Sequence, residues 1–322
     1  MKNAFVFPGQ GSQQIGMASA FMNGYKAGMD TMREVEDAIS FKLSDLIENG
    51  TLAELTRAEN AQPAIFAVGM MCVRILENEY GYNFARRCKY FAGHSLGEYT
   101  ALCAAGVFSL TDTAKLVRLR GELMSRAFPD SENYSMVALL GICASDIEGL
   151  VSEYATAKEV CVIANDNSDT QVVVSGHKNA VSEFVEKAKA ATGLRKAIKI
   201  NTSGAFHSPL MGSVAVEFDR ELKSGYEAHD LKIPVIMNVT AQPLTNKDDV
   251  KVQMVTQITN RVRWRETMKF VTSDTEIGKV VEVAPGNVLS NMLKRSNPET
   301  NTFALDTVAK IEEFIKIDEE EN

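Results

Sequence analysis

The sequence predicts an α/β protein in which a small second sheet is inserted into a body built on a parallel sheet. Two observations predict this class. Short apolar runs typical of buried strands alternate with helical segments over most of the 322 residues, and such alternation indicates a parallel sheet with helices on both faces. Between residues 135 and 200 the order changes to β-α-β-β-α-β, a unit that forms a small sheet of its own.

The body is predicted from eight elements on either side of this unit. We predict strands over 3–7, 88–92, 233–239 and 280–283, and helices over 62–80, 98–105, 110–127 and 287–294. Pro63 suits the first turn of the helix over 62–80, and Gly81 suits its end.

The inserted unit is predicted from strands over 135–140, 159–164, 171–175 and 197–200 and helices over 145–154 and 179–191. This order is that of ferredoxin-like domains. The simplest architecture is therefore an α/β hydrolase-like body, residues 1–134 and 201–322, interrupted by a ferredoxin-like subdomain, residues 135–200.

Composition excludes some classes of function. The chain has 34 lysines and arginines against 42 aspartates and glutamates, a net charge of −8. This balance argues against nonspecific nucleic-acid binding, which needs a basic face. Because the overall field repels anions, an anionic substrate would need a few placed cations. The acidic tail, 318–322, is expected to be a solvated end.

Cysteines and apolar runs indicate where the protein acts. The five cysteines are an odd number without a Cys-x-x-Cys pair, which favours a reduced, cytoplasmic setting. The apolar run over 4–7 is too short for a signal peptide. The longest apolar stretch, 64–73, falls far short of the ~20 residues that a membrane span requires. We therefore expect no membrane association.

The segment Gly93-His94-Ser95-Leu96-Gly97 carries the sharpest chemical signal. It matches Gly-x-Ser-x-Gly, in which the serine lies on a tight turn between a strand and a helix. Glycines on both sides let the backbone pass closely, and the Leu96 amide points toward the oxyanion formed during acyl transfer. The motif alone leaves open the alternative that Ser95 only caps a helix between packing glycines.

A nucleophilic serine needs a base, and the sequence has four histidines. His94 lies inside the turn and is expected to point away from the serine. His177 starts a helix of the insert, and His229 lies in a polar loop. His207 follows the insert where the main sheet resumes, at an edge where sites form in α/β proteins, so it is the best candidate. No carboxylate between the serine and His207 stands out, and we infer a serine–histidine dyad.

Arg118 and Arg120 lie in a predicted helix that is otherwise apolar around them. Two solvated arginines are the ordinary interpretation. A buried arginine instead binds a carboxylate through two parallel hydrogen bonds, and in an acidic protein it would be the placed cation required above.

Six segments in order, spanning nearly the full chain, resemble the family of malonyl-CoA:acyl-carrier-protein transacylases, acyltransferases of fatty acid and polyketide synthesis. They are residues 7–12, 62–64, 93–99, 118–121, 204–211 and 282–289. The resemblance implies that a malonyl group passes from malonyl-CoA to the phosphopantetheine thiol of acyl carrier protein, by a ping-pong mechanism through a malonyl-serine. It implies no metal and no bound cofactor, because the carrier brings the phosphopantetheine. We expect a monomer.

The resemblance also implies a role for each site residue. Ser95 is the nucleophile, His207 its base, and Arg120 the partner of the malonyl carboxylate. The other implied residues are the oxyanion-hole amides of Gln10 and Leu96, the pocket residues Gln62 and Phe206, and the histidine-orienting carbonyl of Arg263. The acidic carrier is expected to dock on Lys294 and Arg295, or on the cluster Arg195, Lys196 and Lys199.

Two positions depart from the family pattern: Arg261 and Asp169 each replace a frequent proline. They put in doubt the stiffness of the loop before Trp264 and the contacts at the thioester entrance. Three alternatives stay open: a serine thioesterase or acyl hydrolase using the same pair, a malonyl transferase of a polyketide pathway, and a noncatalytic carrier-binding subunit.

Overall fold

The computed structural model describes residues 1–154 and 159–321. The strands are β1 Lys2–Phe7, β2 Cys88–Gly93, β3 Tyr134–Leu140, β4 Cys161–Ser168, β5 Gln171–His177, β6 Lys196–Lys199, β7 Val235–Ile236, β8 Pro243–Leu244, β9 Ile277–Val283 and β10 Thr302–Leu305. The helices are α1 Ser19–Gly24, α2 Lys26–Ile39, α3 Leu43–Asn49, α4 Leu52–Thr56, α5 Ala58–Asn78, α6 Phe84–Arg87, α7 Leu96–Ala104, α8 Leu110–Arg126, α9 Glu148–Tyr154, α10 Lys178–Ala191, α11 Gly212–Gly225, α12 Val250–Thr259, α13 Trp264–Ser273, α14 Val288–Ser296 and α15 Val308–Glu321.

The larger sheet has the strand order β10-β9-β1-β2-β7-β8. Its neighbouring strands run parallel, except for the antiparallel pair β7–β8. Strand β1 lies at the centre and is almost wholly buried, as expected for a strand covered on both faces. Phe7 pairs with Gly93, so the loops that follow β1 and β2 leave the same edge of the sheet side by side.

The smaller sheet is antiparallel, with the order β4-β5-β3-β6. Its strands lie between Tyr134 and Lys199, and in the chain they alternate with helices as β3-α9-β4-β5-α10-β6. A separate apolar cluster, with Val174 and Phe184 among its members, joins this sheet to α9 and α10. The predicted α/β class is confirmed, and the larger sheet is mixed rather than purely parallel because β8 runs antiparallel to β7.

The helix predicted over 62–80 begins at Ala58, so Pro63 lies inside α5 rather than in its first turn. A proline has no amide hydrogen to donate to the carbonyl four residues earlier. That carbonyl, of Glu59, accepts a hydrogen bond of 2.8 Å from Arg118 Nη1 instead. Arg118 therefore repairs the helix hydrogen bond that Pro63 removes.

The expectation of a solvated acidic end is wrong for Asp318, which is buried within α15. Its Oδ1 accepts a hydrogen bond of 3.0 Å from Asn3 Nδ2, and its main-chain oxygen accepts one of 2.9 Å from Arg87 Nη1. Arg87 also forms an ion pair with the Asp318 carboxylate. These contacts join α15 to β1 through Asn3 and to the end of α6 through Arg87. Asn322 lies outside the described residues. Of the helices within the described ranges, none is both long and apolar enough to cross a membrane.

Candidate active site

Ser95 lies on the turn between β2 and α7, with φ 51° and ψ −107°. A positive φ is uncommon for a residue with a side chain and marks a strained turn. The two flanking glycines are needed because the turn packs tightly. A Cβ on Gly97 would lie 2.0 Å from the Phe7 carbonyl oxygen, and one on Gly93 would lie 1.9 Å from the Gly97 carbonyl. Only glycines at both positions let the turn sit against β1.

Two amide side chains hold the backbone of this turn. Asn238 Oδ1 accepts from the Ser95 amide at 2.8 Å, and Asn238 Nδ2 donates to the Gly93 carbonyl at 2.6 Å. Gln257 Nε2 donates to the Ser95 carbonyl at 2.8 Å. Neither amide was predicted from the sequence. Asn238 had a usable signal, because it ends a predicted strand at the edge where sites form; Gln257 had none.

His207 lies within hydrogen-bond distance of the serine. Its Nε2 is 2.8 Å from Ser95 Oγ, and its Nδ1 is 3.0 Å from the Gln257 carbonyl and 3.2 Å from the Asn260 carbonyl. Since a carbonyl can only accept, Nδ1 carries the proton and Nε2 is free to accept from the serine hydroxyl. Burial, followed by the charge of Arg120, lowers the pKa of His207 to about 3. The imidazole is therefore neutral at neutral pH.

The expectation that the carbonyl of Arg263 orients this histidine is wrong. Arg263 is the N-cap of α13, and its carbonyl accepts from the Thr267 amide at 3.0 Å and from Thr267 Oγ1 at 3.1 Å. The first carbonyls of a helix point along the helix toward the following turn. The carbonyls that reach His207 come from the end of α12.

Arg120 is a cation with 1% of its surface exposed. Its Nη1 donates to Gln62 Oε1 at 2.8 Å, and its Nη2 donates to Ser95 Oγ at 3.2 Å and to Gln257 Oε1 at 3.0 Å. Burial lowers the pKa of Arg120. Within the described part of the chain, no carboxylate forms an ion pair with it. A buried charge is costly without a partner of opposite sign, so the site is built to receive an anion beside Ser95.

A cavity of about 140 Å³ brings these groups together. Ser95, His207, Arg120, Gln10 and Phe206 all line it. Leu96 is the first residue of α7, where amides have no acceptor within the helix. The structure therefore gathers the predicted nucleophile, base and cation with one of the two predicted oxyanion-hole residues, and it places Gln62 directly behind Arg120. The exposed Lys294 and Arg295 lie in the last turn of α14, outside this lining.

The other histidines take no part in the serine–histidine pair. His94 is half-buried; its Nε2 is 2.8 Å from Asn167 Oδ1, and its ring lies edge-on to Trp264 at 5.5 Å. His177 caps α10, and its Nδ1 accepts from the Val160 amide at 2.8 Å. Over the described residues, no cluster of three or more histidine, cysteine or acidic side chains could hold a metal ion.

The two departures from the family pattern, Arg261 and Asp169, both form ion pairs. Arg261 Nη1 lies 2.7 Å from Glu148 Oε1 at the start of α9. Asp169 Oδ1 lies 3.1 Å from Lys269 Nζ and 3.5 Å from Arg265 Nη1 on α13. Charge pairs thus stand where the two prolines are expected, and the pair of Arg261 with Glu148 lines the same cavity as His207.

A serine on a strand–turn–helix elbow, paired with a neutral buried histidine in an α/β fold, defines the class of serine-nucleophile acyl-transfer proteins. The profile of the acyl transferase domain matches residues 4–311. The chain belongs to this acyltransferase family, and the resemblance inferred from the sequence is confirmed.

Individual relatives agree over the whole length. The chain is 36% identical over 323 residues to a malonyl CoA-acyl carrier protein transacylase of Bacillus subtilis (strain 168), covering 100% of this chain and 98% of the relative. It superposes with a TM-score of 0.93 on an acyl-carrier-protein-S-malonyltransferase from Bartonella henselae, at 39% identity over 98% of this chain and 99% of the other. A malonyl-transacylase in complex with its type II PKS acyl-carrier protein superposes with a TM-score of 0.92, at 31% identity over 98% and 100%.

Proposed function

We propose that this protein transfers the malonyl group of malonyl-CoA to the phosphopantetheine thiol of acyl carrier protein, in fatty acid biosynthesis. The observation that carries the proposal is the buried Arg120, with Nη2 3.2 Å from Ser95 Oγ and no carboxylate paired with it among the described residues. Such a cation selects an acyl group that ends in a carboxylate. The names of the relatives above support the same activity.

In the first half-reaction, Ser95 Oγ attacks the thioester carbonyl while its proton passes to His207 Nε2. The negative oxygen that forms is stabilised by the amides of Gln10 and Leu96. When the carbon–sulfur bond breaks, CoA leaves as a thiol with the proton from His207. Ser95 is left as a malonyl ester whose carboxylate is bound by Arg120.

In the second half-reaction, the phosphopantetheine thiol gives its proton to His207 and its sulfur attacks the ester carbonyl. The carbon–oxygen bond breaks, the proton returns to Ser95 Oγ, and malonyl-carrier protein leaves. Phe206 and Gln62 shape the acyl pocket. The resemblance to the family implies that the Ala205-Phe206-His207 sequence favours malonyl over methylmalonyl groups.

An acyl-labelling experiment tests this function. Malonyl-, methylmalonyl- and acetyl-CoA are incubated with the protein, and intact-mass and peptide spectra follow the adduct on Ser95. We expect a malonyl-serine that persists in water and is discharged by the carrier thiol. Rapid loss to water would indicate a thioesterase instead, and an inert Ser95 would indicate a noncatalytic carrier-binding subunit. Comparing fatty acid and polyketide carriers as acceptors decides between the two pathways.

Docking of the acidic carrier is proposed on Lys294 and Arg295, which are exposed at the end of α14. The alternative is the cluster Arg195, Lys196 and Lys199; β6 leads into Ile200, which lines the cavity of Ser95. The double variant K294E/R295E should raise the KM for carrier and leave self-acylation by malonyl-CoA unchanged. K196E/K199E is the matched variant. An effect confined to the second pair would move the docking site to β6.

We also propose the finer architecture, an α/β hydrolase-like body, residues 1–134 and 201–322, with a ferredoxin-like insert, residues 135–200. The strand order β4-β5-β3-β6 supports the second part. All five cysteines are free, in keeping with the proposed cytoplasmic setting. The monomeric state stays a prediction.

A further inference from the structure

Gln257, a fully buried residue of α12, contacts all three groups of the proposed reaction. Its main-chain carbonyl accepts from His207 Nδ1. Its side-chain Nε2 donates to the Ser95 carbonyl at 2.8 Å, and its Oε1 accepts from Arg120 Nη2 at 3.0 Å. The main-chain contact would survive a substitution, so the side chain can be tested separately from the support of His207.

The orientation of the Gln257 amide follows from the chemistry of its partners. Arg120 can only donate, so it must face Oε1. The Ser95 carbonyl can only accept, so it must face Nε2. Glu98 Oε1 is a second acceptor for Gln257 Nε2, at 3.0 Å. Glu98 Oε2 accepts from the main-chain N–H of Asn238 at 2.6 Å. The buried Glu98 therefore holds Gln257 in the rotamer that presents Oε1 to the arginine.

Two glutamines fix the plane of the Arg120 guanidinium. Gln62 Oε1 takes one hydrogen of Nη1, and Gln257 Oε1 takes one hydrogen of Nη2. The other contact of Nη2 is Ser95 Oγ, the atom that becomes an ester oxygen on acylation. Gln257 Oε1 is not modified in the reaction, so it remains a hydrogen-bond partner of Nη2 throughout. A bidentate contact between Arg120 and a carboxylate depends on a fixed orientation of the guanidinium plane.

We propose that the Gln257 side chain is a positioning residue for acyl selectivity: it holds Arg120 over Ser95 so that acyl groups ending in a carboxylate are preferred. The inference rests on the proposed malonyl transfer. A residue needed only for folding would lower turnover of all acyl groups alike, whereas this one changes the ratio between them.

The test is Gln257→Met, which keeps the length of the side chain and removes its polar atoms. The control is Gln253→Met on the same helix; Gln253 Oε1 is buried and has no hydrogen-bond partner within the described residues. Single-turnover acylation of Ser95 by malonyl-CoA and by acetyl-CoA is measured for each. Loss of one hydrogen bond to a charged group should lower the malonyl-to-acetyl ratio of rates about 10- to 100-fold in Gln257→Met. The ratio should stay that of the wild type in Gln253→Met.

Combination with Arg120→Ala shows whether the effect passes through the arginine. We expect Gln257→Met to cause no further fall of the ratio in the Arg120→Ala background. An equal fall in both backgrounds, or no fall in the single variant, overturns the inference. If the wild type itself does not prefer malonyl-CoA, the proposed function fails instead. Thermal melts check folding, and Gln257→Asn, which is too short to span both partners, replaces Gln257→Met if that variant unfolds.

Discussion

Replacement of Arg120 by alanine tests the proposed chemistry most directly. The guanidinium lies 3.2 Å from Ser95 Oγ and is buried, so a bound carboxylate would form its charge pair away from water. Removal of the side chain leaves that carboxylate buried and unpaired. Acetyl-CoA carries no such group and loses only the contact between Arg120 and the serine hydroxyl.

The size of the effect follows from these contacts. Truncating one partner of a buried, hydrogen-bonded charge pair costs about 2 to 5 kcal/mol. Since about 1.36 kcal/mol is a factor of ten in rate, kcat/KM for malonyl-CoA should fall about 30- to 5,000-fold. The loss of one hydrogen bond to a charged group should lower the acetyl-CoA rate only about tenfold or slightly more. The preference for malonyl-CoA should therefore shrink.

The assay is stopped-flow release of CoA under single-turnover conditions, with both thioesters and with the folded state checked by thermal melting. The control is Arg118→Ala, on the same helix. Arg118 Nε bonds Glu122 and its Nη1 bonds the Glu59 carbonyl, so its loss should lower stability and leave the malonyl-to-acetyl ratio unchanged. A ratio that stays constant in Arg120→Ala would show that Arg120 is structural and refute the reasoning.

Three further predictions concern charge. Because the charge of Arg120 lowers the pKa of His207, Arg120→Ala should raise that pKa. The acid side of the pH–rate profile for acetyl transfer should then move to higher pH. An unchanged profile would show that the charge of Arg120 does not control the protonation of His207. Asp318→Ala leaves the half-buried Arg87 without the buried carboxylate it pairs with, so the free energy of unfolding in urea should fall by about 3 kcal/mol. An unchanged midpoint would contradict this. Arg261→Pro removes a partly exposed ion pair with Glu148. The free energy of unfolding in urea should therefore fall by less than about 1 kcal/mol. A larger fall would mean that this ion pair contributes more to stability than its exposure suggests.

The strands and helices that could be predicted are those with a regular apolar pattern or a glycine boundary. Strands β1 and β2 and helix α8 lie within a residue or two of their predicted bounds. Helix α12 was missed because its sequence, Val-Lys-Val-Gln-Met-Val-Thr-Gln-Ile-Thr, is rich in β-branched residues that favour strands. The predicted strand over 233–239 shortens to β7, since the Ala241 amide bonds the Met237 carbonyl in a turn.

In the site, residues proposed to take part in the reaction could be predicted, and the residues that position them could not. Ser95 could be predicted because its spacing to the two glycines is marked, and His207 because histidines are scarce. Arg120 was distinguished from Arg118 only by the resemblance to the family. Asn238 and Gln257 are amides with no periodicity, and their function depends on contacts made across the sheet edge, 143 and 162 residues from Ser95. Such contacts appear only when the chain has folded. The error over Arg263 has the same origin, because only the path of α12 decides which carbonyls reach the histidine.

His207 Nδ1 bonds two neutral carbonyls instead of a carboxylate, and this affects how strong a base the imidazole is. Carbonyl groups stabilise the imidazolium less than a carboxylate does, and burial beside Arg120 lowers the pKa of His207 further. On the proposed mechanism, a bound malonyl carboxylate offsets the charge of Arg120 and so relieves part of this effect. The base then becomes stronger when the acyl group is malonyl than when it is acetyl. Arg120 would thus link selection of the substrate to the rate of proton transfer, in addition to binding the carboxylate.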